Sequence, residues 1–309
     1  MRVVVTGGAG FIGANLSAAL VAAGVDEVVA LDDLSTGRPD NLAGCRAKLI
    51  EGSILDEGLL DEVITGSDAV VHLAARPSVP RSIEDPMASH TANATGTLMV
   101  LEAARRAGGP QVIVASSSSV YGANPTLPKS VDLRPQPLSP YAVSKLATET
   151  YALSHAHCYG LPVLAFRFFN VFGPLQPAGH AYAAVIPAFV EAAMAGRPIP
   201  IHGDGGQTRD FTYVGSLCSV ICDAVLRRVT SAEPVNLAFG SRLSLLDVVT
   251  MIEESMGRSL EREHGASRAG DVRHSQADQG PLRALFPEVE PTPFRDGLEA
   301  TIDWFRSLP

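Results

Sequence analysis

Lysine is nearly missing from this chain. Its 24 basic residues comprise only three lysines, Lys48, Lys129 and Lys145, and the rest are arginine. Charge of either sign is sparse, at 18% of 309 residues against roughly 25% in an average soluble protein. The balance is acidic, −9 at pH 7, which excludes a broad electrostatic footprint for nucleic acid and leaves room only for a local basic pocket. Long apolar runs are lacking too. None approaches the roughly 18 to 20 residues that span a bilayer. Met1-Arg2 leads straight into Val3-Val4-Val5-Thr6-Gly7, a strand entering a turn and not a signal peptide, so a cytoplasmic location is expected. Cysteine is limited to Cys45, Cys158, Cys218 and Cys222, which build no disulfide framework. Cys218 and Cys222 share a helix face without His or Cys partners at zinc spacing, so no metal is expected. Disorder is excluded by a hydrophobic content of 46%.

What is present is an alternation of apolar runs with helical patterns. Strands are predicted at 2–6, 27–31, 47–51, 69–73, 111–115 and 162–167. Helices are predicted at 11–23, 57–64, within 87–107 and at 141–158. The strand runs are almost continuous in Val, Ile, Leu and Ala, as in strands covered on both faces. The pattern is that of an α/β protein with a doubly wound parallel sheet. After Arg167 the rhythm breaks at Pro174, Pro177, Pro187, Pro198 and Pro200. A smaller mixed α/β substrate-binding domain is expected from about 169–207 and 233–309. The larger domain then takes 1–168 and about 208–232.

The stretch Thr6-Gly7-Gly8-Ala9-Gly10-Phe11-Ile12-Gly13 joins the first strand to the first helix. Glycines at 7, 10 and 13 let backbone N–H groups approach a pyrophosphate at the helix N-terminus, and Gly13 lets the helix lie close to the sheet. Asp32 ends the second strand, where a carboxylate suits a ribose 2′-hydroxyl and repels a 2′-phosphate. The expected cofactor is therefore NAD. Further along, Tyr141 and Lys145 stand four apart on a predicted helix that Ser139-Pro140 would start, hence on one face. A nearby ammonium is expected to lower the phenol pKa, so that Tyr141 can act as a base. A compact ammonium also suits a nicotinamide ribose better than a guanidinium would. Just before that helix, Ser116-Ser117-Ser118-Ser119-Val120-Tyr121-Gly122 follows the fifth strand, at the edge where doubly wound sheets bind ligands.

These pieces make the chain resemble the extended short-chain dehydrogenase/reductase superfamily, and within it the NAD-dependent nucleotide-sugar epimerases and dehydratases. TGGAGFIG at 6–13, HLAA at 72–75, NATGT at 93–97, SSSSVYG at 116–122, SPYAVSK at 139–145, RFFNVFGP at 167–174, GDGGQTRDFTYV at 203–214 and RAGDVRH at 268–274 carry the resemblance. It implies a Rossmann sheet and a catalytic trio of Ser117, Tyr141 and Lys145. It implies a cofactor set of Gly7, Gly10, Phe11, Ile12, Gly13, Asp32, Ser53, Ile54, Leu73, Ala74, Ala75 and Asn93, joined by Tyr141 and Lys145. For a nucleotide-sugar substrate it implies Arg81, Ser117, Ser118, Asn170, Val185, Arg209, Arg268 and Asp271, with arginine forks on the diphosphate. Relatives commonly pair as homodimers through the helices within 87–107 and 141–158.

Related 4,6-dehydratases carry Asp and Glu where this chain has Ser118 and Ser119. Two serines argue for the simpler chemistry, inversion at carbon 4 of a UDP-sugar through a 4-keto intermediate. An NAD-dependent dehydratase or reductase is the alternative, and a non-catalytic NAD-binding sensor is a third reading. The loop at 75–86 resembles that of epimerases acting on UDP-N-acetylhexosamines and UDP-uronic acids, and either Arg76 or Arg81 could meet the sugar. Some UDP-glucuronate epimerases carry an Arg where Pro177 stands here. UDP-glucose and UDP-galactose are the broad default. Ser53 replaces a common acidic residue near adenine, and Gly215 replaces a common Asp.

Overall fold

Val3, Val4 and Val5 are fully buried although their side chains point to opposite faces of one strand. That strand must therefore be covered on both sides, and the molecule is built around this requirement. The structure is a computed structural model and describes residues 1–178, 183–266 and 273–308. Its strands are β1 (Arg2–Thr6), β2 (Glu27–Asp32), β3 (Lys48–Glu51), β4 (Ala69–His72), β5 (Gln111–Ser117), β6 (Val163–Phe168), β7 (Val171–Phe172), β8 (Ile199–His202), β9 (Thr208–Arg209), β10 (Thr212–Tyr213), β11 (Val235–Leu237), β12 (Leu243–Ser244) and β13 (Arg262–Gly265). Its helices are α1 (Phe11–Ala22), α2 (Glu57–Ile64), α3 (Val79–Glu84), α4 (Pro86–His90), α5 (Gly96–Arg106), α6 (Pro140–Tyr159), α7 (Val185–Met194), α8 (Val214–Leu226), α9 (Leu245–Met256), α10 (Gly280–Leu285) and α11 (Phe294–Ser307). Seven parallel strands form the main sheet in the order β11-β6-β5-β4-β1-β2-β3. This is the doubly wound, Rossmann-like fold.

One face packs Val3, Val5, Ile113 and Phe166 under α1 and α8, with Leu282 and Phe286 closing that layer. The other packs Val4, Val70, Val112 and Val114 under α2, α5 and α6. A separate core joins α7, α9 and α11 with Ile199 and Ile201 of β8. The reversal of strand order between β1 and β4 opens the crevice in which such sheets bind ligands.

The structure differs from the sequence reading in four places. Val235–Leu237, grouped with the smaller unit by position, is the seventh strand of the main sheet and pairs with β6. Strand β5 runs two residues further than expected, so Ser116 and Ser117 are strand residues paired with Arg167 and Phe168. The helix expected within 87–107 is interrupted by a π-turn at Thr91–Thr95. There the Asn93 carbonyl accepts the Thr97 hydroxyl at 2.5 Å, and a Cβ on Gly96 would come within 2.4 Å of Ile54. Lys129 reads as a surface charge in sequence but is 3% exposed. Its ammonium donates to the Asn124 carbonyl, and its backbone bridges to residues 276–278.

His72 ends β4, fully enclosed between Thr6 Oγ1 at 2.7 Å and Thr97 Oγ1 at 3.0 Å. Burial first, and the nearby Lys145 charge second, push its pKa down to about 3 from 6.5. An unfolded chain therefore takes up a proton here before the native one does. The stabilisation is complete above pH 6.5 and is lost as pH falls toward 3. Buried Asp210 has the opposite sign. Its pKa is pushed up to about 6, mainly by burial, so its contribution falls as pH rises from about 4 to 6. His72→Asn is expected to lose less stability between pH 7.5 and 5 than the unaltered protein. Thermal melts at both pH values check this, and equal losses would contradict it.

Candidate active site

The turn from β1 to α1 is closed too tightly for side chains. A Cβ on Gly13 would lie 2.0 Å from the Gly7 carbonyl oxygen. Gly7 has φ +68, and a Cβ there would meet the Ala74 nitrogen at 2.7 Å. The chain after β4 runs alongside, with Leu73 N–H donating to the Thr6 carbonyl and Ala74 N–H to the Thr6 hydroxyl. No side chain caps α1, and its first turn has no acidic residue, so its N-terminal N–H groups face the crevice uncompensated. Each Asp32 oxygen accepts one backbone N–H, from Ala9 and Leu34, both at 2.9 Å, which leaves a lone pair on each for a further donor. Burial raises the Asp32 pKa from its ordinary value. A bare helix start, a glycine cradle and a carboxylate at the end of β2 together fit a dinucleotide.

Ser53 Oγ accepts from Leu55 N–H at 3.2 Å, and Ile54 is buried against the core below α5. Phe11 and Ile12 pack their side chains on the core under α1. Asn93 is 1% exposed, and its amide is committed within the protein. Its oxygen accepts from Arg76 N–H at 2.7 Å, while its nitrogen donates to Ser144 Oγ at 2.9 Å and lies 3.3 Å from the Arg76 carbonyl. The π-turn aims Asn93 inward, where it ties the loop after β4 to α6.

Helix α6 starts as its sequence suggests. Ser139 caps it by accepting from Ala142 N–H, and Pro140 occupies its first turn. Tyr141 and Lys145 share a face of it. Ser117 stands near the Tyr141 hydroxyl and favours its ionised form. Lys145 is 6% exposed and donates to the Ala115 carbonyl at 2.8 Å. Burial lowers its pKa to about 8, so it stays protonated at neutral pH. The expected lowering of the Tyr141 pKa is not found. Burial dominates and raises it, with Ser117 opposing. The reason is geometric, since the ammonium is turned to the carbonyl of β5.

Ser117 ends β5 with extended backbone, φ −149, and caps the 3-10 turn Ser118–Tyr121. Its Oγ accepts from Ser119 N–H at 3.2 Å and from Ser119 Oγ at 2.9 Å. Those two donors use its lone pairs, so its own proton is left for Tyr141 or a substrate oxygen. Ser118 stands beside it in the turn, partly buried.

The described residues assigned to substrate come from several elements. Asn170, at φ +35, donates to the Asp210 carbonyl at 2.9 Å. Arg209 is 9% exposed, with Nη1 donating to the carbonyls of Thr208 and Arg273 at 2.9 and 3.2 Å. Val185 opens α7 and packs on the smaller core. Arg81 lies on α3, and Arg76 pairs with Asp85 at 3.6 Å. Arg268 and Asp271 lie outside the described residues. Among the described residues no group of three or more His, Cys, Asp or Glu could hold a metal, and no helix is long and apolar enough to cross a membrane.

Sequence reasoning gave no role to Glu149 and Arg167, and noted Ser116 and Ser119 only within the serine cluster and, for Ser119, for its missing carboxyl. Glu149 had a signal, since it repeats the four-residue spacing of Tyr141 and Lys145 on one helix face. Arg167 gave none, because its contact is with a residue of another element.

Comparison with known proteins adds the family. A family model described as the NAD dependent epimerase/dehydratase family matches residues 3–238. A UDP-glucose 4-epimerase of Mycolicibacterium smegmatis is 37% identical, covering 99% of each chain. A dTDP-glucose 4,6-dehydratase of Streptomyces niveus is 33% identical over 99% of this chain and 93% of its own. Among solved structures, a UDP-N-acetylglucosamine 4-epimerase from Methanobrevibacter ruminantium M1, in complex with UDP-N-acetylmuramic acid, superposes with a TM-score of 0.93. It is 34% identical, over 99% of this chain and 98% of that one. A UDP-glucuronic acid 4-epimerase from Bacillus cereus, solved with UDP-glucuronic acid and NAD, gives 0.90 at 31% identity, with 99% of each chain covered.

Two substitutions test the constellation. Tyr141→Phe removes the hydroxyl alone and is expected to abolish at least ~99% of turnover, the scale of general acid–base catalysis, while retaining bound NAD. Lys145→Arg is expected to be crippled as well, because a planar fork cannot replace a compact ammonium against the Ala115 carbonyl. Steady-state kinetics and the absorbance of released cofactor read both, and wild-type turnover in either variant would refute its role.

Proposed function

Because the chain belongs to the NAD dependent epimerase/dehydratase family, we propose that it is an isomerase, an NAD-dependent UDP-sugar 4-epimerase. The observation that carries this reading is the trio of Ser117, Tyr141 and Lys145 beside a turn whose next two residues, Ser118 and Ser119, have no carboxyl. NAD, when bound, supplies the acceptor and later donor of the hydride at sugar carbon 4. The protein handles the proton and the orientation. Tyr141 takes the proton of the 4-hydroxyl and returns it, with Ser117 donating a hydrogen bond to the same oxygen. Lys145, whose compact ammonium donates to the Ala115 carbonyl, would also bond the nicotinamide ribose. The 4-keto sugar then turns about its diphosphate link and is reduced on its other face.

The candidate diphosphate donors are Arg209 and Arg268, with Asn170 and Asp271 toward the ribose. Arg81 and Ser118 are candidates for the sugar, and Val185 for the wall of the nucleotide site. UDP-glucose/UDP-galactose, UDP-N-acetylhexosamine and UDP-glucuronate all remain candidate substrates. The Asp85 carboxylate, 3.6 Å away, partly offsets the charge of Arg76. A dehydratase reading is favoured by the Streptomyces niveus relative and opposed by the missing carboxyls, since water elimination needs a group to move protons at carbons 5 and 6. A homodimer is part of the proposal. Met87 on α4 and Val143 and Tyr151 on α6 are large apolar side chains left exposed there, and light scattering of the purified protein should give twice the chain mass.

The decisive assay incubates the protein separately with UDP-glucose, UDP-N-acetylglucosamine and UDP-glucuronate, with NAD supplied, and follows carbon-4 epimers by NMR. At least one is expected to reach an epimer equilibrium. Conversion of none would end the epimerase reading, and loss of the carbon-6 oxygen would favour the dehydratase.

A further inference from the structure

Behind the trio lies a charged pair that the reaction as described does not use. Tyr141, Lys145 and Glu149 follow one another at four-residue spacing on α6. Glu149 is 2% exposed and Arg167, on β6, is 3% exposed. Arg167 Nη2 donates to Glu149 Oε1 at 2.6 Å and Nε to Oε2 at 3.0 Å, a two-pronged fork. Ser116 Oγ donates to Glu149 Oε2 at 2.7 Å and lies 3.1 Å from the Lys145 carbonyl oxygen. Its neighbours on β5 are Ala115, whose carbonyl receives the Lys145 ammonium, and Ser117 itself. The guanidinium also sits 4.8 Å over the Tyr121 ring, whose hydroxyl donates to Asn236 of β11 at 2.6 Å.

A pair chosen for stability alone would satisfy all of its donors. Arg167 Nη1 is buried without a hydrogen-bond partner among the described residues. Burying two charges and stranding a donor is a poor route to stability, and an apolar pair of similar volume commonly does as well. The fork does fix something an apolar pair would not, which is the position of α6 along β5 and β6. A carboxylate and a guanidinium meet well at one register only.

We propose that Glu149 and Arg167 are positioning residues for catalysis. Acting through Ser116 and the backbone of α6, they hold Lys145 and Tyr141 in register with Ser117. Neither touches substrate or cofactor. The inference rests on the epimerase reading of the trio, and the test separates the two.

The test compares Glu149→Gln, Ser116→Ala and the double variant Glu149→Leu/Arg167→Met with the unaltered protein and Tyr141→Phe, using the sugar that the unaltered protein converts. For Glu149→Gln and the double variant, kcat is expected to fall at least ~10-fold with KM changed less than ~2-fold, the mark of a lost transition-state alignment. The melting temperature of the double variant should stay near that of the unaltered protein. Ser116→Ala leaves both charges in place, cuts the link to the helix, and should lower kcat in the same direction. Arg167→Lys, with one prong in place of two, should fall between. An ultraviolet titration, with the Tyr141→Phe spectrum subtracted, should show the Tyr141 phenol ionising at higher pH in Glu149→Gln. Unchanged kcat and an unchanged phenol titration in Ser116→Ala and in whichever pair variants fold would overturn the proposal. An inactive unaltered protein would fault the epimerase reading instead, and the phenol titration would still judge the positioning role.

Discussion

The end of β5 grips helix α6 at both ends of one residue, and the site depends on that grip. The Ala115 carbonyl holds the Lys145 ammonium, and the next residue, Ser116, hydrogen-bonds the Glu149 side chain one turn along. Ser117 then presents its hydroxyl to Tyr141. Three successive strand residues thus address three successive turns of a helix. Breaking a buried pair such as Glu149–Arg167 by removing one partner would cost roughly 3–5 kcal/mol, a large part of a typical domain's stability.

The cofactor half of the crevice solves a different problem. There the need is to bring backbone close to a pyrophosphate, and the constraint is the absence of side chains. Gly7 and Gly13 approach each other so closely that one methyl group would force the turn apart. Thr6 joins the two halves. Its carbonyl and hydroxyl receive the N–H groups of Leu73 and Ala74, and the hydroxyl also contacts His72. From His72 the buried hydrogen bonds continue through Thr97 to Thr148 of α6. The glycine turn and helix α6 are therefore connected by a chain of neutral polar groups. A protonated imidazole would disrupt that chain, and burial keeps His72 neutral.

Burial acts on Lys145 and Tyr141 in opposite directions. It lowers the Lys145 pKa and raises that of Tyr141, so both are pushed toward their neutral forms. The two shifts move the phenol and the ammonium further apart in proton affinity than they are in water. Ser117 tunes the phenol in the other direction, and Ser119 fixes which way Ser117 can donate.

The local features of this protein were legible because they are written in short stretches of chain. Valine-rich runs determine strands buried on both faces, and three glycines determine a turn with no room for side chains. Ser139-Pro140 determines a helix start, and spacing alone puts Tyr141 and Lys145 on one face. Tertiary structure decided what depends on residues far apart. Val235–Leu237 is too short to declare its sheet and joins β6 only because that edge is open to it. Lys129 looks like any loop lysine until residues 276–278 cover it. Arg76 and Asn93, which look like groups for a ligand, spend hydrogen bonds or charge on each other and on Asp85 and Ser144. Glu149 and Arg167 look like ordinary surface charges in a chain that has many arginines. Periodicity and turn chemistry are properties of neighbouring residues and survive in one dimension. Desolvation and pairing belong to the packed molecule, and a charged residue's sequence neighbourhood does not say what will enclose it.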